Sequence, residues 1–116
     1  MSQPITLQDW VTVCGSSASD VLLQRQEKYA NVSGAAKVVA RVDIMKLSNV
    51  DLNIQTAKVA DKKYWRTTKN PTSTVTYVLT RDSGQTAGFL ENLLRWQLYP
   101  TGADWQATFR IQLYLK

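Results

Sequence analysis

The C-terminal stretch, residues 105–116, reads WQATFRIQLYLK and alternates apolar with polar side chains throughout. A period of two over this length places every apolar side chain on one face of an extended strand. Such a face must be covered by a second layer of structure if it is to leave water. The stretch therefore predicts a layered β protein whose last strand has one buried face.

Similar patterns recur through the rest of the chain. Further strands are predicted at 10–13, 21–26, 37–45, 50–56, 74–80 and 93–99. Turn-forming residues separate them, and Pro100-Thr101-Gly102 is expected to form a hairpin into the final strand. Residues 86–94 are also compatible with a helix, but a strand is preferred from about Leu93 because the later residues alternate.

The spacing of these strands indicates the fold class. Strands that recur at intervals of roughly 8 to 12 residues are typical of antiparallel sandwiches and barrels. We expect an all-β, jelly-roll-like antiparallel sandwich of about seven or eight strands. The 116 residues suit one domain spanning 1–116, because domains usually contain about 100 to 150 residues.

The composition argues against an enzyme. The chain has no histidine and one cysteine, which excludes Ser-His-Asp and Cys-His catalysis and leaves too few ligands for structural zinc. A glycine-rich phosphate-binding loop is also missing from the sequence. Cys14 is interpreted as structural, because a free cysteine at a strand end usually packs as a small apolar side chain. We expect no catalytic residue, metal or cofactor.

The charge and hydropathy pattern bears on location and partners. The formal net charge is +5, which permits a polyanionic partner without establishing one. No apolar run approaches the roughly 18 residues of a membrane-spanning helix, and the first residues do not resemble a secretory signal. We expect a protein made in the cytoplasm that has no membrane partner.

One segment, residues 62–69, combines cations with aromatic rings. Its candidate interaction residues are Lys62, Lys63, Tyr64, Trp65, Arg66 and Lys69. The simplest interpretation is packing, with Trp65 inward and Lys63 and Arg66 covering its edges. The same composition also suits single-stranded nucleic acid, where cations attract the backbone and rings stack on bases. Stacking on a sugar ring is a third possibility.

The four tryptophans differ in what their positions predict. Trp96 and Trp105 fall on apolar faces and are expected in the core. Trp10, like Trp65, is flanked by polar or charged residues and is a candidate anchor for a partner subunit or a sugar. Further apolar residues are predicted to face outward: Val39, Met45, Leu93, Tyr99 and Tyr114. If these residues share one face, they form a patch large enough for subunit contact.

The strands at 35–48 and 50–56, the LLRWQLY strand at 93–99 and the alternating strand at 107–113 together resemble small β-sandwich structural proteins of tailed phages and phage-like particles. The resemblance implies a non-enzymatic coat, decoration or accessory component, found in the virion or particle. Its partners would be copies of itself or another structural protein. The alternative is a β module that binds carbohydrate or single-stranded nucleic acid.

Overall fold

Two antiparallel β-sheets make up the fold in the computed structural model, which describes residues 4–18, 21–81 and 88–116, and Lys62 by its backbone alone. The strands among these residues are β1 (Pro4–Gly15), β2 (Leu22–Leu23), β3 (Ala30–Asn31), β4 (Lys37–Ser48), β5 (Val50–Ala57), β6 (Arg66–Lys69), β7 (Val75–Thr80), β8 (Leu93–Pro100) and β9 (Trp105–Leu115). Short 3₁₀ helices occur at Gln26–Lys28 and Lys62–Tyr64. The all-β prediction is confirmed.

The strand order is that of a jelly roll. Sheet A has the order β1-β9-β4-β7, and sheet B has the order β2-β8-β5-β6, with β3 also paired to β8. The pairs are nested: β1 pairs with β9, β2 and β3 with β8, β4 with β7, and β5 with β6. This nesting follows when one long antiparallel hairpin is rolled up so that its arms alternate between two packed sheets.

The core lies between the sheets, where the alternating faces meet. Phe109, Ile111 and Leu113 of β9 are fully buried, as the 105–116 pattern predicts. Trp96 of β8 packs edge-on against Phe109, with ring centroids 5.3 Å apart, and so joins sheet B to sheet A. Trp96 and Trp105 are each at least 93% buried, which confirms the prediction that both belong to the core.

Two of the connections between the sheets are tight corners with a residue at positive φ. Asn49 joins β4 to β5 and Asp104 precedes β9, and both have positive φ, 56° and 54°. Asn and Asp tolerate this conformation better than most residues. The corners also contact each other, since Asn49 donates from Nδ2 to the Ala103 carbonyl at 2.9 Å and accepts from the Thr101 amide at 2.8 Å.

The second corner corrects a prediction. Pro100-Thr101-Gly102 does not form a hairpin, because β8 belongs to sheet B and β9 to sheet A. Alternation shows that two neighbouring segments are strands but carries no information on whether they pair. β4 and β5, joined at Asn49, likewise lie in different sheets.

Other boundaries also differ from the sequence prediction. The strand predicted at 10–13 extends over Pro4–Gly15, and only Leu22–Leu23 of the 21–26 segment is a strand. Residues 88–92 are irregular apart from a bridge at Phe89, and β8 begins at Leu93 as preferred. Residues 86 and 87 of the helix-or-strand segment lie outside the described residues. The described strands number nine, against the seven or eight expected.

Candidate functional site

The 62–69 segment lies at the edge of sheet B. Asp61 begins its 3₁₀ helix by accepting the Lys63 backbone amide on its carboxylate at 3.1 Å. The four residues of β6 then pair with β5. Tyr64 is 54% exposed and Lys63 is also exposed, so both are available to a partner. The Lys62 side chain lies outside the described part of the structure.

Trp65 belongs to an aromatic and cationic cluster on the outer face of sheet B. The Arg95 guanidinium lies 4.1 Å from the centre of the Trp65 ring, and Tyr29 packs edge-on against Trp65 at 4.9 Å. Arg95 is 6% exposed and donates to Gln55 Oε1 at 2.8 Å and to the Tyr29 hydroxyl at 3.0 Å. Trp65 is half-buried, and one of its faces is already taken by Arg95, which leaves at most one face for a base or a sugar.

The two remaining cations of the segment contact other side chains of the chain. Arg66 donates from Nε and Nη2 to Glu91 Oε1 at 3.3 and 2.9 Å, and its guanidinium lies 4.4 Å from the centre of the Phe89 ring. Lys69 Nζ lies 5.0 Å from the Tyr77 ring. The expectation that Lys63 and Arg66 cover the edges of Trp65 is wrong for Arg66, because its partners are Glu91 and Phe89.

Two pockets open beside this segment. One, of about 400 Å³, is lined by Lys58, Arg66, Arg81, Phe89, Leu90, Glu91 and Asn92. The other, of about 290 Å³, is lined by Lys58, Lys63, Tyr64, Arg66 and Glu91. Because Lys58, Arg66 and Glu91 line both, the two pockets adjoin each other, and we call them together the basic cleft.

Trp10 lies on the opposite side of the molecule, on the outer face of sheet A. It is 42% exposed, and the Arg110 guanidinium lies 5.0 Å from the centre of its ring. Arg110 donates to Asp43 Oδ2 at 2.8 Å, and Arg41 donates to Asp43 Oδ1 at 3.2 Å. The largest influence on the pKa of Asp43 is the hydrogen bond from Arg110. Together with the Arg41 charge, this bond outweighs the effect of burial and lowers the pKa below its ordinary value of 3.8.

The structure therefore does not bring all the predicted interaction residues together. Trp10 lies on sheet A, whereas residues 62–69 lie on sheet B. The outward apolar residues are divided in the same way. Val39, Met45 and Tyr114 belong to strands of sheet A, and Leu93 and Tyr99 to sheet B. A single patch formed by all five is therefore ruled out.

A smaller apolar row does cross sheet A. Val39 is the register partner of Val78 on β7 and of Tyr114 on β9, and Tyr114 is the partner of Pro4 on β1. These four residues, the apolar row, share the outer face because directly paired residues point to the same side of a sheet. The row ends at the β7 edge with Val78, which is 46% exposed.

The β7 edge exposes backbone groups. Thr80 donates its amide to the Gly88 carbonyl at 3.3 Å and accepts the Leu90 amide at 2.8 Å, so both of its backbone groups face away from β4. In an antiparallel pair this direction alternates along the strand. Val78 and Thr76 therefore also direct their N–H and C=O groups out of sheet A.

Four residues of this region are not among the interaction residues expected from the sequence: Arg95, Tyr29, Glu91 and Arg81. Arg95 carried a detectable signal, since it is the one charged residue of β8 and falls at an outward position. Glu91 and Arg81 carried none, because they reach the basic cleft from segments about 25 residues and 15 residues away from Arg66 along the chain.

Comparison with known proteins yields no relative: no family model matches the chain, and searches of curated proteins and of solved structures return no significant match. Within residues 4–18, 21–81 and 88–116, no three acidic or cysteine side chains are grouped so that they could hold a metal ion. In the same residues no helix has the length and apolar character needed to cross a membrane.

Proposed function

We propose that this protein is a non-enzymatic structural protein that self-associates through its β7 edge. Its setting would be a virion or phage-like particle, as a coat, decoration or accessory component made in the cytoplasm. The resemblance of its strand succession to such proteins supports this setting. The jelly-roll strand order is also compatible, since viral capsid domains are among the proteins that use it, although lectins use it too.

The observation that carries the proposal is the unguarded part of the β7 edge at Thr76 and Val78. Natural edge strands are usually guarded by charge, proline, a bulge or very short length. Among the other described edges, β1 begins with Pro4 and has two register shifts, β6 contains Arg66 and Lys69, and β2 and β3 each have two residues. β7, VTYVLT, has no charge, proline or register shift over its six residues. Among the described residues, the segment Gly88–Leu90 covers its edge at Thr80 but forms no backbone hydrogen bond with Thr76 or Val78. An edge of this kind is protected if a second copy covers it.

The register of β7 suggests a symmetric contact. If two copies pair their β7 strands antiparallel about a twofold axis at Tyr77, Thr76 of each copy lies opposite Val78 of the other. Because Thr76 and Val78 direct their backbone groups outward, both pairs exchange N–H···O bonds, four in total. The apolar row then continues from one copy to the next. Repetition of modest contacts on a symmetric particle would strengthen binding through avidity.

The test is the absolute mass by light scattering after size exclusion, at low and high salt, with electron microscopy of the concentrated protein. We expect discrete oligomers that persist at high salt, because the contact is apolar and backbone-mediated. Val78→Lys should weaken association by on the order of 100-fold or more, because a charge desolvated at an interface costs several kcal/mol. Val21→Lys is the matched control, since Val21 is 44% exposed and precedes β2, which lies at an edge of sheet B.

Two outcomes of these measurements would contradict the proposal in whole or in part. A wild-type protein that remains monomeric at high concentration in both salts, and that leaves no ordered assemblies on the grid, would overturn it. Equal mass distributions for wild type and Val78→Lys would place any association elsewhere than β7. Circular dichroism of both variants establishes that a loss of association is not a loss of fold.

A further inference from the structure

The basic cleft concentrates positive charge around a single carboxylate. Four cations line it, Lys58, Lys63, Arg66 and Arg81, together with Glu91. Glu91 is already paired with Arg66, so the lining carries a net formal charge of about +3. Asp61, two positions before Lys63, accepts the Lys63 backbone amide on its carboxylate and does not line either pocket.

Two of the cations are held in place before any ligand arrives. Arg81 donates to the carbonyl oxygens of Ala35 and Val32 at 2.6 and 2.5 Å and to Asn92 Oδ1 at 3.2 Å. Arg66 is fixed by Glu91 and by the face of Phe89. A guanidinium that is already oriented loses less conformational entropy on binding an anion, and its planar donors suit phosphate and carboxylate.

The other two cations are exposed lysines. Lys58 and Lys63 are exposed at the rim, and none of the described acidic side chains forms an ion pair with either of them. Beside Lys63, Tyr64 presents a ring that is 54% exposed. The cleft therefore combines oriented guanidiniums, unpaired ammonium groups and an exposed aromatic ring. Such a combination attracts a phosphate that is linked to a planar base.

We propose that the basic cleft binds a phosphate ester attached to a nucleoside, with Lys58 and Lys63 neutralising the phosphate and Tyr64 stacking on the base. The ligand is a free nucleotide or one unit of a single-stranded nucleic acid, since both present this chemistry. The cleft is lined by Lys58 after β5, by the second 3₁₀ helix and β6, by Arg81 directly after β7 and by residues 89–92. The proposed β7 contact uses Thr76 and Val78 instead, so the inference does not depend on self-association.

The test is titration of the full chain with three probes: inorganic phosphate, adenosine monophosphate and a fluorescein-labelled ten-nucleotide oligo-dT. The key variant is the double substitution Lys58→Ser with Lys63→Ser. Its matched control is Lys37→Ser with Lys46→Ser, which removes the same charge from exposed positions on β4 of sheet A. Light scattering on the same samples reports whether the assembly state has changed.

For the wild type we expect saturable binding of at least one nucleoside-bearing probe that is tighter than binding of inorganic phosphate. The Lys58 and Lys63 double variant should bind that probe at least about tenfold more weakly, with the control unchanged. For the oligonucleotide, the slope of log affinity against log salt should fall by about 1.4, since each lost phosphate contact on a single strand contributes roughly 0.7. Tyr64→Ala should reduce nucleotide affinity to that of phosphate.

The probes separate the possible sources. Binding of adenosine monophosphate comparable to that of the oligonucleotide identifies a nucleotide ligand, and much tighter oligonucleotide binding identifies a nucleic acid strand. Equal losses in the cleft and control variants would mean that net charge alone attracts the probes, and would overturn the inference. Absence of binding by all three probes at low salt would do the same. A failure of self-association with intact nucleotide binding would overturn the proposed function alone.

Discussion

Replacing Gln24 with leucine should destabilise the fold by about 2 kcal/mol, although leucine has nearly the same size and is more apolar. Gln24 is 3% exposed and connects the two sheets. Its Nε2 donates to the Leu7 carbonyl of β1 at 2.6 Å and to the Lys28 carbonyl at 3.3 Å, and its Oε1 accepts the Trp96 amide of β8 at 3.3 Å. The Gln24 side chain thus provides hydrogen-bond partners for backbone groups that the ladders of the two sheets leave unpaired.

The magnitude follows from what the leucine leaves unpaired. A buried N–H or C=O without a partner costs about 1 to 3 kcal/mol, so losing partners at Leu7 and Trp96 costs about 4 kcal/mol. The added burial of apolar surface returns at most about 2 kcal/mol. With roughly 2 cal/mol/K of unfolding entropy for each residue, the net loss lowers Tm by about 8 °C for this chain of 116 residues.

The assay is urea and thermal unfolding followed by circular dichroism, at matched protein concentration because self-association would itself raise stability. Gln26→Leu is the control, since Gln26 is an exposed residue of the neighbouring 3₁₀ helix and undergoes the same chemical change. If Gln24→Leu unfolds within about 0.5 kcal/mol of the control, the argument that this amide joins the sheets is refuted. The 0.5 kcal/mol threshold reflects the usual range of surface substitutions.

Two further perturbations test electrostatics and backbone geometry. The pKa of Asp43 is lowered chiefly by its hydrogen bond from Arg110, so its contribution to stability is complete above the unfolded pKa and disappears as pH falls through the folded value. Asp43→Asn should therefore be less stable than wild type at pH 7, and the two should have similar stability in acid. Urea titrations from pH 7 to 2 measure this difference in the free energy of unfolding. A difference that does not change with pH, or one no larger than for exposed Asp51→Asn, would contradict the prediction. Gly88 has φ +136°, and an added Cβ would lie within 3 Å of two neighbouring side chains, so Gly88→Ala should cost about 1 to 3 kcal/mol. At Gly34 an added Cβ meets nothing within 4 Å; comparable Tm losses at the two positions would show that the steric explanation is wrong.

Strand prediction succeeded where one face is buried without interruption. The alternation at 105–116 corresponds to β9, and the runs predicted to begin at 37, 50, 74 and 93 correspond to β4, β5, β7 and β8. In β1 the register shifts between Thr6 and Val11 disrupt the alternation, so only its later part was recognised. β6, RTTK, is polar throughout and carries no period at all. Both failures arise because the period of two is visible only when pairing is regular and one face is apolar.

The candidate site was predictable only in part. The composition of residues 62–69 identified exposed Lys63 and Tyr64, which line the basic cleft. It could not show that Arg66 pairs with Glu91 or that Arg95 lies against Trp65. These contacts join residues 25 or more positions apart, and their geometry depends on which strands become neighbours. The local sequence does not indicate which strands become neighbours.

Local sequence by itself determined that the chain is built from strands and which side of most strands is buried, because alternation and β-branched side chains act on each segment separately. Tertiary structure alone decided that β1 pairs with β9 from the other end of the chain, that β8 and β9 lie in opposite sheets, and that β7 lies at an edge of sheet A. The physical reason is that pairing uses backbone groups that every residue has. The choice of partner is therefore made by the packing of whole sheets around one core.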